Sequence, residues 1–83
     1  MKKETKEIIR DFIIDTFLMG KGSIKDDDSL FERNVIDSFG LLELIAFIEK
    51  QFNIRVHPGE IRIENFDSLK KIVKLVIRRQ NKS

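Results

Sequence analysis

The sequence contains no cysteine, no tryptophan and no tyrosine, and it has a single histidine and a single proline. Without cysteine the chain has no disulfide, no thiolate nucleophile and no zinc–thiolate site, which fits a cytoplasmic setting. The one histidine, His57, precedes Pro58 in a loop, so a Ser–His nucleophilic pair has little to build on. No catalytic residue and no metal site are assigned, and an enzyme is not expected. No window approaches the ~20 apolar residues of a membrane span. The charged opening Met1-Lys2-Lys3-Glu4 does not read as a secretory signal.

What is present describes a folded domain. The 83 residues are 41% hydrophobic and 36% charged, a composition of soluble globular chains rather than disordered ones. That length predicts one domain spanning residues 1–83 with a compact core. The net charge of +2 conceals a strong asymmetry. Residues 1–25 carry six Lys/Arg against four Asp/Glu, residues 26–49 one against seven, and residues 50–83 nine against three. An acidic middle between basic flanks steers partners to particular faces.

Three stretches have helical periodicity. In residues 3–19, Ile8, Ile9, Phe12, Ile13 and Phe17 recur near the i, i+3, i+4 spacing of one buried face. Gly20 ends that helix, since glycine enters the left-handed region freely. A second helix begins near Asp37-Ser38 and runs to Phe52, with Asn53 as its stop. The third follows Asp67-Ser68 to about Gln80, with Leu69, Ile72, Val73, Val76 and Ile77 on one side and Asp67 or Ser68 as N-cap. About 17 residues separate the first two helices. Connections that long usually carry function or short structure of their own, and Leu30, Phe31, Val35 and Ile36 are expected to tuck it onto the core. After His57-Pro58-Gly59, a brief helical turn is expected over residues 60–65, with Ile61 and Ile63 facing in. Ile54-Arg55-Val56 has the look of a strand fragment without a partner strand. The expected fold is all-α: a small bundle of three main helices plus one short helix, with a long loop between helices 1 and 2.

Several motifs fail on inspection. Gly20-Lys21-Gly22-Ser23 lacks the first glycine of a phosphate-binding loop. Asp26-Asp27-Asp28 is followed by Leu30 and Phe31 where a calcium loop needs oxygen ligands and glycine. The last helix carries Lys70, Lys71, Lys74, Arg78, Arg79 and Lys82, and three-helix domains often read DNA. Base-reading side chains are nevertheless absent from its start, and the acidic middle repels phosphates. Nucleic acid is not an expected partner.

The informative segment is residues 37–52. Leu41, Leu44, Ile45, Ile48 and Phe52 form its buried face, while Phe39 and Leu42 are candidates for exposed docking residues. Asp37-Ser38-Phe39 opening an apolar helix that ends in Ile48-Glu49-Lys50-Gln51-Phe52-Asn53-Ile54 resembles the acyl carrier protein family, including its peptidyl and D-alanyl carrier relatives. Asp28-Ser29-Leu30-Phe31-Glu32 and Asn65-Phe66-Asp67-Ser68-Leu69 match further family segments, so the resemblance covers nearly the whole chain. It implies a covalent 4′-phosphopantetheine on Ser38, installed from coenzyme A by a phosphopantetheinyl transferase that Asp37 helps to recognise. It also implies acyl or aminoacyl cargo held as thioesters. Phe39, Leu42, Glu43 and Glu49 are then the residues that meet loading and processing enzymes. A monomer is expected, with fatty-acid, polyketide or other specialised acyl or aminoacyl metabolism as its setting.

The residues agree with this on physical grounds. A serine in the first turn of a helix sits where unpaired N–H groups and the positive dipole end favour a phosphodiester. The chain has no thiol, so thioester chemistry would come wholly from the arm. Asp-Ser before a large apolar residue occurs three times, at Ser29, Ser38 and Ser68, and only Ser38 opens a Glu-bearing helix that ends in Phe. Val35 where the family often has Gly, Phe39 in place of the common Leu, Lys50, and the basic C-terminal half are departures that point away from a general fatty-acid carrier. Ile45, Ile48, Ile61, Phe66 and Ile72 are candidates to shelter a short acyl chain, with plain core packing as their other reading. Two alternatives stay open: an unmodified interaction domain of the same fold, and a small helical nucleic-acid binder.

Overall fold

A computed structural model describes residues 4–81. Among these residues the chain forms helices and no strand: α1 (Thr5–Phe17), α2 (Ser38–Phe52), a 3₁₀ turn (Pro58–Glu60), α3 (Ile63–Phe66) and α4 (Leu69–Gln80). The expected bundle of three main helices and one short one is therefore present. Lys3, at the expected start of the first helix, and Lys82, among the expected basic residues, lie outside the described residues.

Each helix boundary has a local cause. α1 closes where Met19 and Gly20 both take left-handed φ, +54° and +76°, and the Gly20 amide returns to the Ile14 carbonyl. α2 ends at Asn53, also left-handed at φ +53°, a conformation asparagine tolerates better than most residues. α4 starts with Ser68 as cap, its hydroxyl oxygen accepting from the Lys71 amide.

The core is one cluster. Ile9 and Ile13 of α1, Leu44 and Ile48 of α2, Phe66 of α3 and Leu69, Ile72 and Val76 of α4 meet fully buried. Each buried aliphatic side chain of this size contributes roughly 1.5–3 kcal/mol relative to exposure. Phe12 of α1 stacks on Phe47 of α2 with centroids 3.9 Å apart. As expected, Leu30, Val35 and Ile36 of the long loop are buried and Phe31 packs against the cluster. Ile24 joins them without any periodic signal to announce it.

The long loop is held by polar ties at both sides. Asp67 receives the Ser29 hydroxyl and the Phe31 amide on its carboxylate, at 2.8 and 3.2 Å, and the Leu30 amide on its carbonyl. Asp26 receives Lys6 and Arg10 of α1, at 3.0 and 2.6 Å, while its carbonyl takes the Lys70 amide. The Lys6 hydrogen bond, with the charges of Lys6 and Arg10 beside it, holds the Asp26 carboxyl below its ordinary range against the opposing effect of desolvation.

Three expectations about inward residues are corrected. Ile61 and Ile63 are exposed; the single helical turn of α3 offers one inward position and the larger Phe66 holds it. Ile61 therefore is not part of any interior shelter, whereas Ile45, Ile48, Phe66 and Ile72 are buried in the core. Ile77 is also exposed, and Leu75 is buried instead. At about 100° per residue, Ile77 stands roughly 140° around the helix from Ile72. Ile54-Arg55-Val56 is irregular, with Val56 buried and Ile54 against the cluster.

Candidate functional site

The start of α2 is built by Asp37 and Gly40. Asp37 is extended, and its Oδ1 accepts from the Gly40 amide at 2.7 Å while its carbonyl accepts from the Leu41 amide. The carboxylate thus caps the helix and also places negative charge at the positive end of the dipole. Ser38 is then the first helical residue, exposed, and its hydroxyl makes no hydrogen bond among the described residues.

Gly40 explains how this helix end comes so close to α1. A Cβ there would lie 2.9 Å from a ring carbon of Phe17 and 3.3 Å from Ile36 Cγ2 and Asp37 Oδ1. Glycine inside a helix costs roughly 1 kcal/mol against alanine, and here it lets the end of α1 seat against the first turn of α2. That first turn cannot rotate without displacing Phe17, so the Ser38 side chain is held facing outward.

The other two Asp-Ser pairs have their hydroxyls engaged. Ser29 donates to Asp67 and accepts from the Glu32 amide. Ser68 is buried and accepts from the Lys71 amide. Of the three, Ser38 alone combines exposure with an uncommitted hydroxyl among the described residues.

Around Ser38 the side chains of α2 divide. Phe39 is 80% exposed and Leu42 59%, and Glu43 is also exposed. Glu49 differs from this group. Its Oε2 accepts from the Val56 amide at 2.9 Å, half-buried, so it braces the segment after α2 against the helix. Nothing in its sequence spacing distinguishes a brace from a docking charge. His57 is drawn into the 3₁₀ turn, where its amide donates to Glu60 Oε1, and it meets none of the three serines through any described hydrogen bond. Glu60 also pairs with Arg78 and Arg79 of α4. Burial raises the Glu60 carboxyl, yet the His57 amide and the two arginines bring it net below its usual value.

Chemically, this arrangement presents a primary alcohol at the positive end of a helix, with apolar residues beside it. No group of three or more His, Cys, Asp or Glu side chains is placed to hold a metal ion among the described residues. No helix there is long and apolar enough to cross a membrane.

Comparison with known proteins gives two concordant results. The family described as "Phosphopantetheine attachment site" matches residues 7–76. The chain is 35% identical over 74 residues to the D-alanyl carrier protein of Streptococcus suis, covering 89% of this chain and 92% of that one. It is 38% identical over 69 residues to the D-alanyl carrier protein of Streptococcus gordonii, covering 83% and 87%. It matches that of Streptococcus equi subsp. zooepidemicus at the same identity and length, covering 83% and 86%.

Proposed function

The chain belongs to the phosphopantetheine attachment site family, and from that premise we propose that Ser38 is the serine that bears its 4′-phosphopantetheine. Members of this family are carriers rather than enzymes, and the prosthetic group is covalent on a serine. The observation that carries the assignment is the uncommitted, outward hydroxyl of Ser38, beside two other Asp-Ser pairs whose hydroxyls are hydrogen-bonded. The residues fit the group. The first-turn amides and helix dipole offer positive potential to a phosphodiester, and the Asp37 carboxylate is turned onto the Gly40 amide.

When bound, the arm supplies the thiol that this cysteine-free chain lacks. The chain's own residues present and orient the attachment oxygen: Asp37 fixes the first turn, and Gly40 with Phe17 sets its seat. Phe39, Leu42 and Glu43 form the surface met by the transferase and by the loading and processing enzymes. Asp37 contributes to transferase recognition through the turn it caps. Glu49, braced on Val56, is left out of that surface. The cargo is an aminoacyl group, D-alanyl in the first instance, a reading supported by the names of the similar proteins.

The test is intact mass spectrometry after coexpression with a broad-specificity phosphopantetheinyl transferase. One phosphopantetheine increment is expected on the wild type and none on Ser38→Ala. An increment that survives the substitution removes Ser38 from the role. Incubating the modified protein with ATP, D-alanine and a D-alanine-activating ligase, in parallel with a fatty acid and its ligase, tests the cargo; acylation by the fatty acid alone overturns the D-alanyl reading.

A further inference from the structure

α4 contains five cationic residues and no Asp or Glu. Lys70, Lys74 and Arg78 follow one another at four-residue spacing, so they form a single row along the helix, with Lys71 beside it. All four are exposed, and the opposite side of the helix is sealed in the core by Leu69, Ile72, Leu75 and Val76. Arg78 is paired with Glu60. The three lysine ammonium groups make no ion pair or hydrogen bond among the described residues. Acidic neighbours are few. Asp27, Asp67 and Glu64 line the shallow basins beside Lys71 and Lys74; Asp67 is occupied by Ser29 and Phe31, and Glu64 is paired with Arg62.

We propose that the outward face of α4 is an electrostatic docking surface for an anionic lipid bilayer. Charge complementarity selects a polyanionic partner, and two features select a bilayer among polyanions. First, the lysines are point charges on flexible stems with no fixed geometry, suited to mobile headgroups more than to a stereospecific protein pocket. Second, Ile77 stands 46% exposed on the same side of the helix, where an interfacial apolar contact has a use that a nucleic-acid backbone does not provide. The contact is peripheral and reversible, because the large apolar face of α4 is already used in the core. It requires no prosthetic arm, so it stands or falls independently of the role of Ser38.

Each lysine near an anionic surface strengthens partitioning about fivefold, and three together on the order of a hundredfold. The full-length protein is tested by cosedimentation with sucrose-loaded vesicles of 70% phosphatidylcholine and 30% phosphatidylglycerol, beside vesicles of phosphatidylcholine alone. Binding is expected to the anionic vesicles only, to weaken steeply with salt, to fall on the order of a hundredfold in Lys70→Gln/Lys71→Gln/Lys74→Gln, and to fall by a smaller factor in Ile77→Gln. Unchanged helical circular dichroism of the variants shows that folding is not the cause. Equal binding to both vesicle types, or an unaltered triple variant, overturns the proposal. Tighter binding to polyglutamate than to the anionic vesicles at matched charge reassigns the face to an acidic protein. Retardation of a DNA duplex at equal or lower concentration reassigns it to nucleic acid.

Discussion

The starts of α2 and α4 share a sequence and differ in outcome. Each opens with Asp-Ser followed by a large apolar residue. At α4 the aspartate is occupied by the long loop, so Ser68 becomes the cap, its hydroxyl is consumed, and Leu69 falls into the core. At α2 no loop competes for Asp37, which caps the helix itself. The cap moves by one residue, and that turns Ser38 and Phe39 to solvent. An engaged aspartate makes a structural serine; a capping aspartate leaves an exposed one whose hydroxyl has no hydrogen bond among the described residues.

This contrast predicts that substitutions at α4 affect stability, while those at α2 affect presentation of the hydroxyl. The largest effect is expected for Phe66→Ala beside the α4 start, at about 3–5 kcal/mol in denaturant unfolding. Modification per folded molecule should be unaltered. Asp67→Ala leaves the Ser29 hydroxyl and the Phe31 amide without their acceptor and should cost about 2–3 kcal/mol. A loss below about 0.5 kcal/mol would show that Asp67 is not what separates the two helix starts.

Gly40→Ala sharpens the α2 side. Crowding against Phe17 costs about 1–3 kcal/mol and the gain in helix propensity returns roughly 1, so a net loss of about 0–2 kcal/mol is expected. The double variant with Phe17→Leu should cost less than the two single changes added together. Among the serines, Ser68→Ala should cost about 1 kcal/mol as a lost cap, whereas Ser38→Ala should stay within about 0.5 kcal/mol. Equal costs, measured by midpoint shifts in urea, would erase the distinction between the two starts. The smallest effect concerns Glu60, which ties the far end of α4. Its folded carboxyl lies below the ordinary 4.5, so its contribution is complete above 4.5 and fades as pH falls from there through the lower folded value. Glu60→Gln should flatten that part of the acid-unfolding profile.

Much of this was legible in the chain. The three long helices follow from apolar spacing, and their ends from Gly20, Asn53 and the Asp-Ser pairs. Exposure of Phe39 and Leu42 follows from a helix with more apolar residues than one face can bury. Periodicity was silent where elements are short or contacts distant. A single turn has too few positions to show which of Ile61, Ile63 and Phe66 points inward. The tie from Ser29 to Asp67 joins residues 38 positions apart, and the brace from Glu49 to Val56 depends on a loop path that spacing does not encode. The seat of Gly40 against Phe17 is likewise a tertiary fact, visible in sequence only as a glycine in an otherwise regular helix.

The exposure of Phe39 has a practical consequence in a chain that contains neither tryptophan nor tyrosine. Phe39→Trp would install the protein's sole indole one residue from the Ser38 hydroxyl, on a ring position already in water and free of core packing. Its emission would report, against a dark background, any protein that docks there and any group added to the neighbouring serine.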